Sequence, residues 1–257
     1  MNQHKRSKHD PALPLFTLKE ARASLASFES VPFEEKKNIS PEINFKFRYA
    51  GHILGASSTL LEVDGKSICF TGDVGRPQDP ILFPPDVLPE ADYLVTESTY
   101  GNRRHILTDP LVDLENIISD AVKRKGVILV PAFAVGRAQE ILFYLWKLRK
   151  LGRLPRIPMY LNSPMATDVN ELFVKYHKLH RLTAEESKEI CECVKYVRTA
   201  EDSKALNEKK GPMLIISASG MMSGGRILHH LKRFGPDERT TILLTGFQAA
   251  GTRGEAL

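Results

Sequence analysis

Residues 58–73, STLLEVDGKSICFTGD, contain two apolar runs that are separated by Asp64 and Gly65. An Asp-Gly pair between two such runs predicts a β-hairpin, because both central residues of a type I′ turn need φ > 0. Further strands are predicted on either side, in residues 44–51 (NFKFRYAG) and 92–98 (DYLVTES). This half of the chain is therefore predicted to be a β-meander.

The pattern changes near residue 105, where the spacing of apolar residues becomes helical. In the first helix Asp109 or Thr108 can form the N-cap, Pro110 suits the first turn and Gly126 follows the last. Helices then alternate with four apolar segments, which are residues 127–133 (VILVPAF), 157–161 (IPMYL), 212–219 (PMLIISAS) and 240–247 (TTILLTGF). Strands that are apolar on both faces and separated by helices predict a parallel sheet of βαβ units.

Other helix starts are marked by capping residues. A Ser-Pro pair beginning at Ser163 opens one helix, and Thr183 with Glu186 forms a capping box at the start of another. Thr199 starts a further helix that Gly211 is predicted to end.

The two patterns predict an α/β chain in two parts. With 257 residues and 42% apolar content, the chain can bury a core of one large domain or two smaller ones. We predict that residues 1–105 form an incomplete β-rich unit and that residues 106–257 form a nearly complete domain with a mostly parallel, Rossmann-like sheet.

Charge and cysteine content restrict the class of protein. The net charge of +5 and the pI near 9.0 suit a polyanionic partner such as nucleic acid, although an ordinary basic protein would have the same values. Three cysteines are too few for a disulfide framework, which indicates a reducing compartment and predicts the cytoplasm. Cys191 and Cys193 form a C-x-C pair that is either a pair of metal ligands or two inert thiols.

Neither a secretory signal nor a membrane-spanning segment is predicted. The basic residues 1–16 lack an apolar run of signal-peptide length, and no later segment approaches about 20 uninterrupted apolar residues. The N-terminal sequence is charged and loop-like, and the chain stops at residues 251–257 (GTRGEAL), shortly after a predicted strand. We therefore expect an internal segment of a longer, soluble protein.

Three side chains with catalytic or metal-binding chemistry stand at strand ends. His52 lies at a glycine-flanked bend, Asp73 directly follows an apolar strand, and Glu97 ends the next one. An imidazole in a cleft and carboxylates at a sheet edge can hold a metal ion between protein and phosphate. Each residue has a plain structural alternative, a hydrogen-bonded loop histidine or a turn carboxylate. Their occurrence in one sheet favours a functional site.

Seven segments, in order, resemble the β-CASP branch of the metallo-β-lactamase superfamily, which includes the mRNA 3′-end-processing endonuclease and ribonuclease J. They are GHILGAS (51–57), FTGDVGR (70–76), ESTYG (97–101), PAFAVGRAQEIL (131–142), NSPMA (162–166), ISASGMMSGGRILHHL (216–231) and GFQAAGTRG (246–254). The resemblance covers nearly the whole chain. It implies part of a metallo-β-lactamase-type sandwich in residues 1–105 and a β-CASP domain in residues 106–257.

This resemblance implies a zinc-dependent RNA phosphodiester hydrolase, an endoribonuclease or exoribonuclease, with two zinc ions in a cleft between the domains. His52 is implied to ligate one zinc, Asp73 to bridge both, and Glu97 to orient a proton-donating histidine. DNA-repair members carry aspartate at the position of Glu97, so the glutamate favours the RNA-processing branch. RNA is the implied partner, and a homo-oligomer or a processing complex is the implied assembly.

The sequence also departs from the family pattern. The H-x-H-x-D-H signature is absent, since His4 and His9 in HKRSKH have the wrong spacing, and the two late histidines of the family are missing. The chain by itself is therefore expected to bind no pair of zinc ions and to be inactive. A catalytically inactive β-CASP scaffold or RNA-binding subunit is the alternative. His229 and His230 fall on one predicted helix and are expected to be structural.

A second candidate surface is the loop of residues 217–226, between a predicted strand and a predicted helix. Its backbone N–H groups and the helix dipole could cradle a phosphate, with Ser219 and Gly220 lining the loop and Arg226 adding charge. Tight packing of the domain would also select small residues here. By family analogy Arg137 and Arg253 are further substrate-binding candidates, which could instead tie loops to the sheet.

Overall fold

A computed structural model describes residues 13–104 and 108–257. The HKRSKH segment and the predicted boundary at residue 105 lie outside the described residues. Within them, the strands form two sheets of five. The first sheet has the same order in space as in the chain: β1 (Lys36–Asn38), β2 (Ile43–Tyr49), β3 (Ser57–Val63), β4 (Lys66–Phe70) and β5 (Tyr93–Val95).

The first sheet contains the predicted hairpin but is not a simple meander. Asp64 and Gly65 have φ of 48° and 73°, and β3 and β4 pair antiparallel around them, which confirms the hairpin. Strand β5, however, pairs parallel with β4, so the prediction of a β-meander is wrong at this strand. A parallel neighbour needs a long crossover connection, and residues 71–92 supply one.

The second sheet is parallel throughout, as predicted from its apolar strands. Its spatial order is β10-β6-β9-β7-β8, and the three central strands are completely buried. The strands are β6 (Val127–Pro131), β7 (Met159–Asn162), β8 (Lys195–Tyr196), β9 (Met213–Ser217) and β10 (Thr241–Ile242). Strand β10 is much shorter than the predicted run of residues 240–247.

Seven α-helices occur in the described part of the chain: α1 (Leu18–Ser24), α2 (Pro110–Lys123), α3 (Arg137–Lys150), α4 (Pro164–Lys175), α5 (Ala184–Cys191), α6 (Ala200–Asn207) and α7 (Ile227–Phe234). The predicted N-caps are confirmed, because the side chains of Asp109, Ser163 and Thr183 accept hydrogen bonds from the first turns of α2, α4 and α5.

Helix α6 ends four residues before the glycine that was predicted to end it. The capping position is Glu208, in an ordinary right-handed conformation, and the Lys209 N–H donates to the Leu206 carbonyl. Gly211 instead packs against the Gly126 backbone, where an added Cβ would lie 3.0 Å from the Gly126 carbonyl oxygen. This glycine therefore allows two loops to pack closely and does not end the helix.

The main core lies between the parallel sheet and helices α2 to α5. Two of its residues, Ile81 and Leu82, come from the long crossover of the first sheet and are 3% and 4% exposed. Arg181 holds this crossover in place, since its backbone N–H donates to the Ile81 carbonyl and its Nε to the Leu82 carbonyl, each at 2.8 Å. The crossover thus joins the two sheets.

Within residues 13–104 and 108–257, every helix is too short or too polar to cross a bilayer.

Candidate active site

Two glycine-rich loops meet at the edge of the first sheet. Gly51 has φ of 65°, and the Gly75 N–H donates to the Ala50 carbonyl at 2.8 Å. A Cβ atom added to Gly75 would lie 1.8 Å from the Gly51 carbonyl oxygen, so a larger residue would push the loops apart. The glycines of the two motifs therefore bring their neighbours His52 and Asp73 together.

His52 and Asp73 face each other across this junction. The His52 Nε2 atom lies 3.7 Å from the Asp73 Oδ2 atom, and the side chains are 45% and 71% exposed. Ile53, next to His52, lies against the start of α3, where a Cβ added to Gly136 would be 3.1 Å from its Cγ2 atom. The pair is thus open to solvent beside the carboxyl end of β6, the end of a parallel sheet at which ligands commonly bind.

Glu97 joins the same junction from β5. Its carboxylate accepts hydrogen bonds from the Val74 N–H at 3.3 Å and the Thr99 N–H at 3.0 Å. Hydrogen bonds from Thr99 lower the pKa of Glu97, and the Val74 N–H and the charge of His52 lower it further. A carboxylate held in this way stays ionised at neutral pH and fixes the loop that carries Asp73.

An imidazole nitrogen and a carboxylate oxygen are donors that zinc accepts, and two such donors on one tetrahedral zinc lie about 3.4 Å apart. The separation of His52 and Asp73 is close to that value. No group of three or more His, Cys, Asp or Glu side chains placed to hold a metal ion occurs in residues 13–104 and 108–257. Because a zinc site takes at least three protein ligands, the described residues supply two donors and do not complete a site.

An ion-pair cluster connects the junction to the parallel sheet. Arg76, three residues after Asp73, donates to Glu140 Oε1 at 2.5 Å, and Arg137 pairs with the other oxygen of the same carboxylate. The Glu140 side chain is 11% exposed. Glu140 lies on α3, so a nearly buried carboxylate on one unit holds a cation from the loop of the other.

The structure places Arg226 away from the first sheet. Its NH1 atom donates to Asn162 Oδ1 at 2.9 Å and to the Val197 carbonyl at 3.0 Å, and its NH2 atom donates to the Arg198 carbonyl at 2.7 Å. Asn162 ends β7, so the guanidinium ties the loop of residues 217–226 to the neighbouring strands. These contacts favour the packing interpretation of Arg226 over phosphate binding, which stays a prediction.

The remaining substrate-binding candidates divide into packed and exposed residues. Gly220 is buried, and an added Cβ would lie 2.8 Å from the Phe133 ring, which suits tight packing. Ser219 donates to the Gly224 carbonyl within its own loop. Arg253 is exposed and donates to the Met222 carbonyl at 3.4 Å, while Arg137 is 32% exposed beside Gly246. Of the three arginines predicted to bind substrate, Arg137 and Arg253 therefore keep surface for a ligand.

His230 occupies the interior of the second unit. It is completely buried, with Nε2 2.6 Å from Asn162 Nδ2 and Nδ1 2.7 Å from Asn207 Oδ1. Burial, followed by the charges of His229 and Arg226, lowers the pKa of His230 to about 4. A neutral imidazole that donates from Nδ1 and accepts at Nε2 satisfies both neighbours, which is a structural arrangement.

The C-x-C pair lies at the end of α5, where Cys193 is buried in the main core and Cys191 is half-buried. Burial raises the pKa of Cys193 to about 11 and also raises that of Cys191. Their sulfur atoms lie near the Glu189 and Asn170 carbonyl oxygens, at 3.6 and 3.9 Å. Such thiols stay protonated, which favours the interpretation that they are inert.

Glu140 is the residue of this region that the sequence did not single out. It stands in RAQEILF, where three apolar residues follow directly and the positions on both sides become buried in α3. An acidic residue within a buried stretch is the available signal, because a buried carboxylate needs a cation or several donors. The sequence does not say which cation, since Arg76 is 64 residues away.

Comparison with known protein families matches residues 138–257 to the Beta-Casp domain. The chain is 34% identical over 251 residues to a ribonuclease of Thermus thermophilus, covering 94% of this chain and 57% of that protein. It is 35% identical over 245 residues to an RNase J-like protein of Methanocaldococcus jannaschii, covering 91% and 56%. It is 33% identical over 256 residues to an endoribonuclease of Schizosaccharomyces pombe, covering 95% and 32%.

The chain thus spans little more than half the length of the first two relatives and about a third of the other. The matched region contains all of the parallel sheet except β6, and the alignments with the relatives extend over both sheets. Residues 138–257 therefore belong to the β-CASP domain family, and the chain is similar over both sheets to these ribonuclease relatives.

Proposed function

We propose that the protein containing this chain is an RNA phosphodiester hydrolase that uses zinc. The observation that carries the proposal is the 3.7 Å approach of His52 to Asp73 at an exposed junction, beside the carboxyl end of a parallel sheet. Relatives that carry ribonuclease names align over more than 90% of the chain. The proposal treats residues 1–105 as the lactamase-type part and residues 106–257 as the β-CASP domain.

In this proposal His52 and Asp73 supply two metal donors, and residues elsewhere in the whole protein supply the others. The family assigns two zinc ions to such a site. Glu97 acts as a positioning residue, since its hydrogen bonds to Val74 and Thr99 hold the Asp73 loop. We assign the same half-buried carboxylate the orientation of a histidine from another part of the protein, because a histidine with a fixed tautomer is the better proton donor.

Charged groups around the junction are the residues that we assign to RNA binding. Arg137 and Arg253 keep exposed surface, so we assign them contacts to phosphates, which position a chain without reading its bases. Ser219, Gly220 and Arg226 shape the loop of residues 217–226 beside them. Both an endonuclease and an exonuclease are consistent with this arrangement.

The test uses the full-length protein and the variant Asp73→Ala. Loss of this carboxylate should remove RNA cleavage and at least one equivalent of zinc, while the circular dichroism spectrum stays unchanged because the side chain is 71% exposed. Asp113→Ala is the matched control, because Asp113 is an exposed carboxylate on α2 with no ion pair among the described residues. Near-normal turnover of Asp73→Ala would overturn the assignment.

A second variant, Glu97→Gln, separates positioning from ligation. It should lower the cleavage rate about 10-fold to 100-fold while most of the zinc is retained, as changes behind a metal ligand typically do. RNA binding without cleavage by the unaltered full-length protein would instead support the scaffold alternative. The 257-residue chain alone should bind less than one tight equivalent of zinc, since it offers two described donors.

A further inference from the structure

The amino ends of three neighbouring strands carry a dense group of positive charges. Strands β10, β6 and β9 are adjacent and parallel, so the loops that enter them lie at the same edge of the sheet. These entry segments are residues 120–126, 207–211 and 232–240. We call their combined surface the entry-edge patch.

Direct contacts hold the three segments together. A Cβ added to Gly126 would lie 1.8 Å from the Arg239 carbonyl oxygen, and Gly211 packs on the Gly126 backbone. Arg124 NH2 donates to Thr241 Oγ1 at 2.8 Å, and Arg233 Nε donates to the Asn207 carbonyl at 3.0 Å. The patch is therefore a single surface about 10 Å wide, the span of three strands.

The charge of the patch is unbalanced. Its segments contain eight lysines and arginines and four acidic residues, a net charge of +4 out of +5 for the whole chain. The eight cations are Lys123, Arg124, Lys125, Lys209, Lys210, Lys232, Arg233 and Arg239, and all are exposed. Two of them pair with acids inside the patch, Lys123 with Asp120 and Arg239 with Asp237.

Four lysines remain without an ion pair among the described residues: Lys125, Lys209, Lys210 and Lys232. The one aromatic residue of the patch, Phe234, is 5% exposed, so the surface offers no aromatic anchor. Interfaces between proteins are enriched in aromatic residues and depleted in lysine. A surface of unpaired lysines without an anchor suits a phosphate backbone better than a protein partner.

The patch is separate from the candidate active site. His52 lies beside the carboxyl end of β6, whereas Lys125 lies just before its amino end. Five residues of strand place the two ends about 16 Å apart. A ligand at the patch therefore does not occupy the junction of His52 and Asp73.

We propose that the entry-edge patch binds the phosphate backbone of single-stranded RNA at a distance from the cleavage site. The inference rests on the proposed function for its choice of RNA as the polyanion. A second contact of this kind holds a long RNA on the protein while another part of the strand lies in the active site. It gives affinity through charge and adds no sequence preference.

The test compares two triple variants that each remove three positive charges. The patch variant is Lys125→Ala, Lys209→Ala, Lys210→Ala. The matched control, Lys19→Ala, Lys178→Ala, Lys188→Ala, changes exposed lysines on other segments that also lack ion pairs among the described residues. Binding of a labelled RNA of about 30 nucleotides, longer than the ~4–16 nucleotides of a single compact binding site, is measured by fluorescence anisotropy at several salt concentrations.

We expect the patch variant to bind about 10-fold more weakly near 0.1 M salt, with a slope of log K against log salt reduced by about 2, because each phosphate contact to a single strand contributes about 0.7. The control should keep the affinity within about 2-fold. Equal losses in both variants, or no RNA binding by the unaltered chain, would overturn the inference. A patch variant that loses binding of poly-glutamate but keeps binding of RNA would also overturn the inference, because it would indicate an acidic protein partner.

The anisotropy experiment measures RNA affinity and not cleavage, so the difference between the two variants is independent of RNA hydrolysis. In the full-length protein the patch variant should raise KM for long RNA and leave kcat unchanged. A full-length protein that cleaves no RNA would remove the proposed function while the binding result stands. A patch variant with reduced kcat and normal affinity would contradict the separation of the two surfaces.

Discussion

The two sheets of this chain differ in how they are buried. In the parallel sheet, β6, β7 and β9 are buried along their whole length. In the first sheet β2 is half-buried throughout, and the β5 residues Tyr93, Leu94 and Val95 are 58%, 61% and 52% exposed. The parallel sheet therefore has a core of its own, whereas much of the first sheet stays accessible to solvent.

This difference bears directly on the candidate site, because His52, Asp73 and Glu97 all lie on the less buried sheet. Besides the hydrogen bonds of Glu97 itself, three kinds of contact hold them: the Gly75 to Ala50 hydrogen bond, the crossover residues that enter the main core, and the Arg76 to Glu140 ion pair. Two of the three involve the parallel unit. Exposed groups bind a ligand well only if rigid surroundings position them, and here α3 and the main core provide part of that rigidity.

The largest expected contrast comes from the same substitution in each sheet. Leu161→Ala in β7 removes a side chain that is 0% exposed and should lower the free energy of unfolding by about 2–5 kcal/mol. Leu94→Ala in β5, where the leucine is 61% exposed, should cost less than about 1 kcal/mol. Urea denaturation followed by circular dichroism measures both, and equal losses would contradict the proposed difference between the sheets.

The second contrast concerns how the free energy of unfolding depends on pH. The pKa of His230 is about 4 in the folded chain and about 6.5 when unfolded, so the unfolded chain binds more protons between these values. Stability is full above pH 6.5 and falls as the pH decreases towards 4, by about 2 kcal/mol between pH 7 and pH 5. Burial also lowers the pKa of His180, which adds a loss of the same sign.

The single tryptophan, Trp146 on α3, reports unfolding of the parallel unit in this experiment. His230→Gln should flatten the dependence of unfolding free energy on pH, whatever its effect on stability at pH 7. His229→Gln is the control, because His229 is exposed on the same helix and contributes less than burial to the lowered pKa of His230, so it should change the slope much less. An unaltered slope in His230→Gln would show that the buried histidine is not the group that titrates.

The smallest expected effect tests the connection between the units. Glu140→Gln removes the carboxylate that Arg76 shares with Arg137 and should cost about 1 kcal/mol, since both arginines are partly exposed and Arg76 keeps its pair with Asp79. Glu62→Gln breaks the exposed pair with Lys36 and should cost much less, because solvent screens that pair. Hydrogen exchange at Val74 should become faster in Glu140→Gln alone, and unchanged exchange would exclude a positioning role for this carboxylate.

Much of the local structure followed from the sequence. The hairpin at Asp64-Gly65 and the N-caps at Asp109, Ser163 and Thr183 formed where predicted, because each depends on residues within about four positions of one another. The short strands β1 and β8 were not predicted. They have three and two residues, too few to show a periodic pattern.

By itself the sequence determined the composition of each element: which strands are apolar on both faces, which residues cap the helices, and which loops carry histidine and carboxylates. Only the tertiary structure decided that β5 pairs parallel with β4 and that Glu140 forms an ion pair with Arg76. It also decided that Arg226 donates hydrogen bonds to the carbonyls of Val197 and Arg198. The physical reason is the range of the interactions. Turn conformation and capping are local properties of the chain, whereas the partner of a charge or an unpaired strand depends on which distant surfaces pack together.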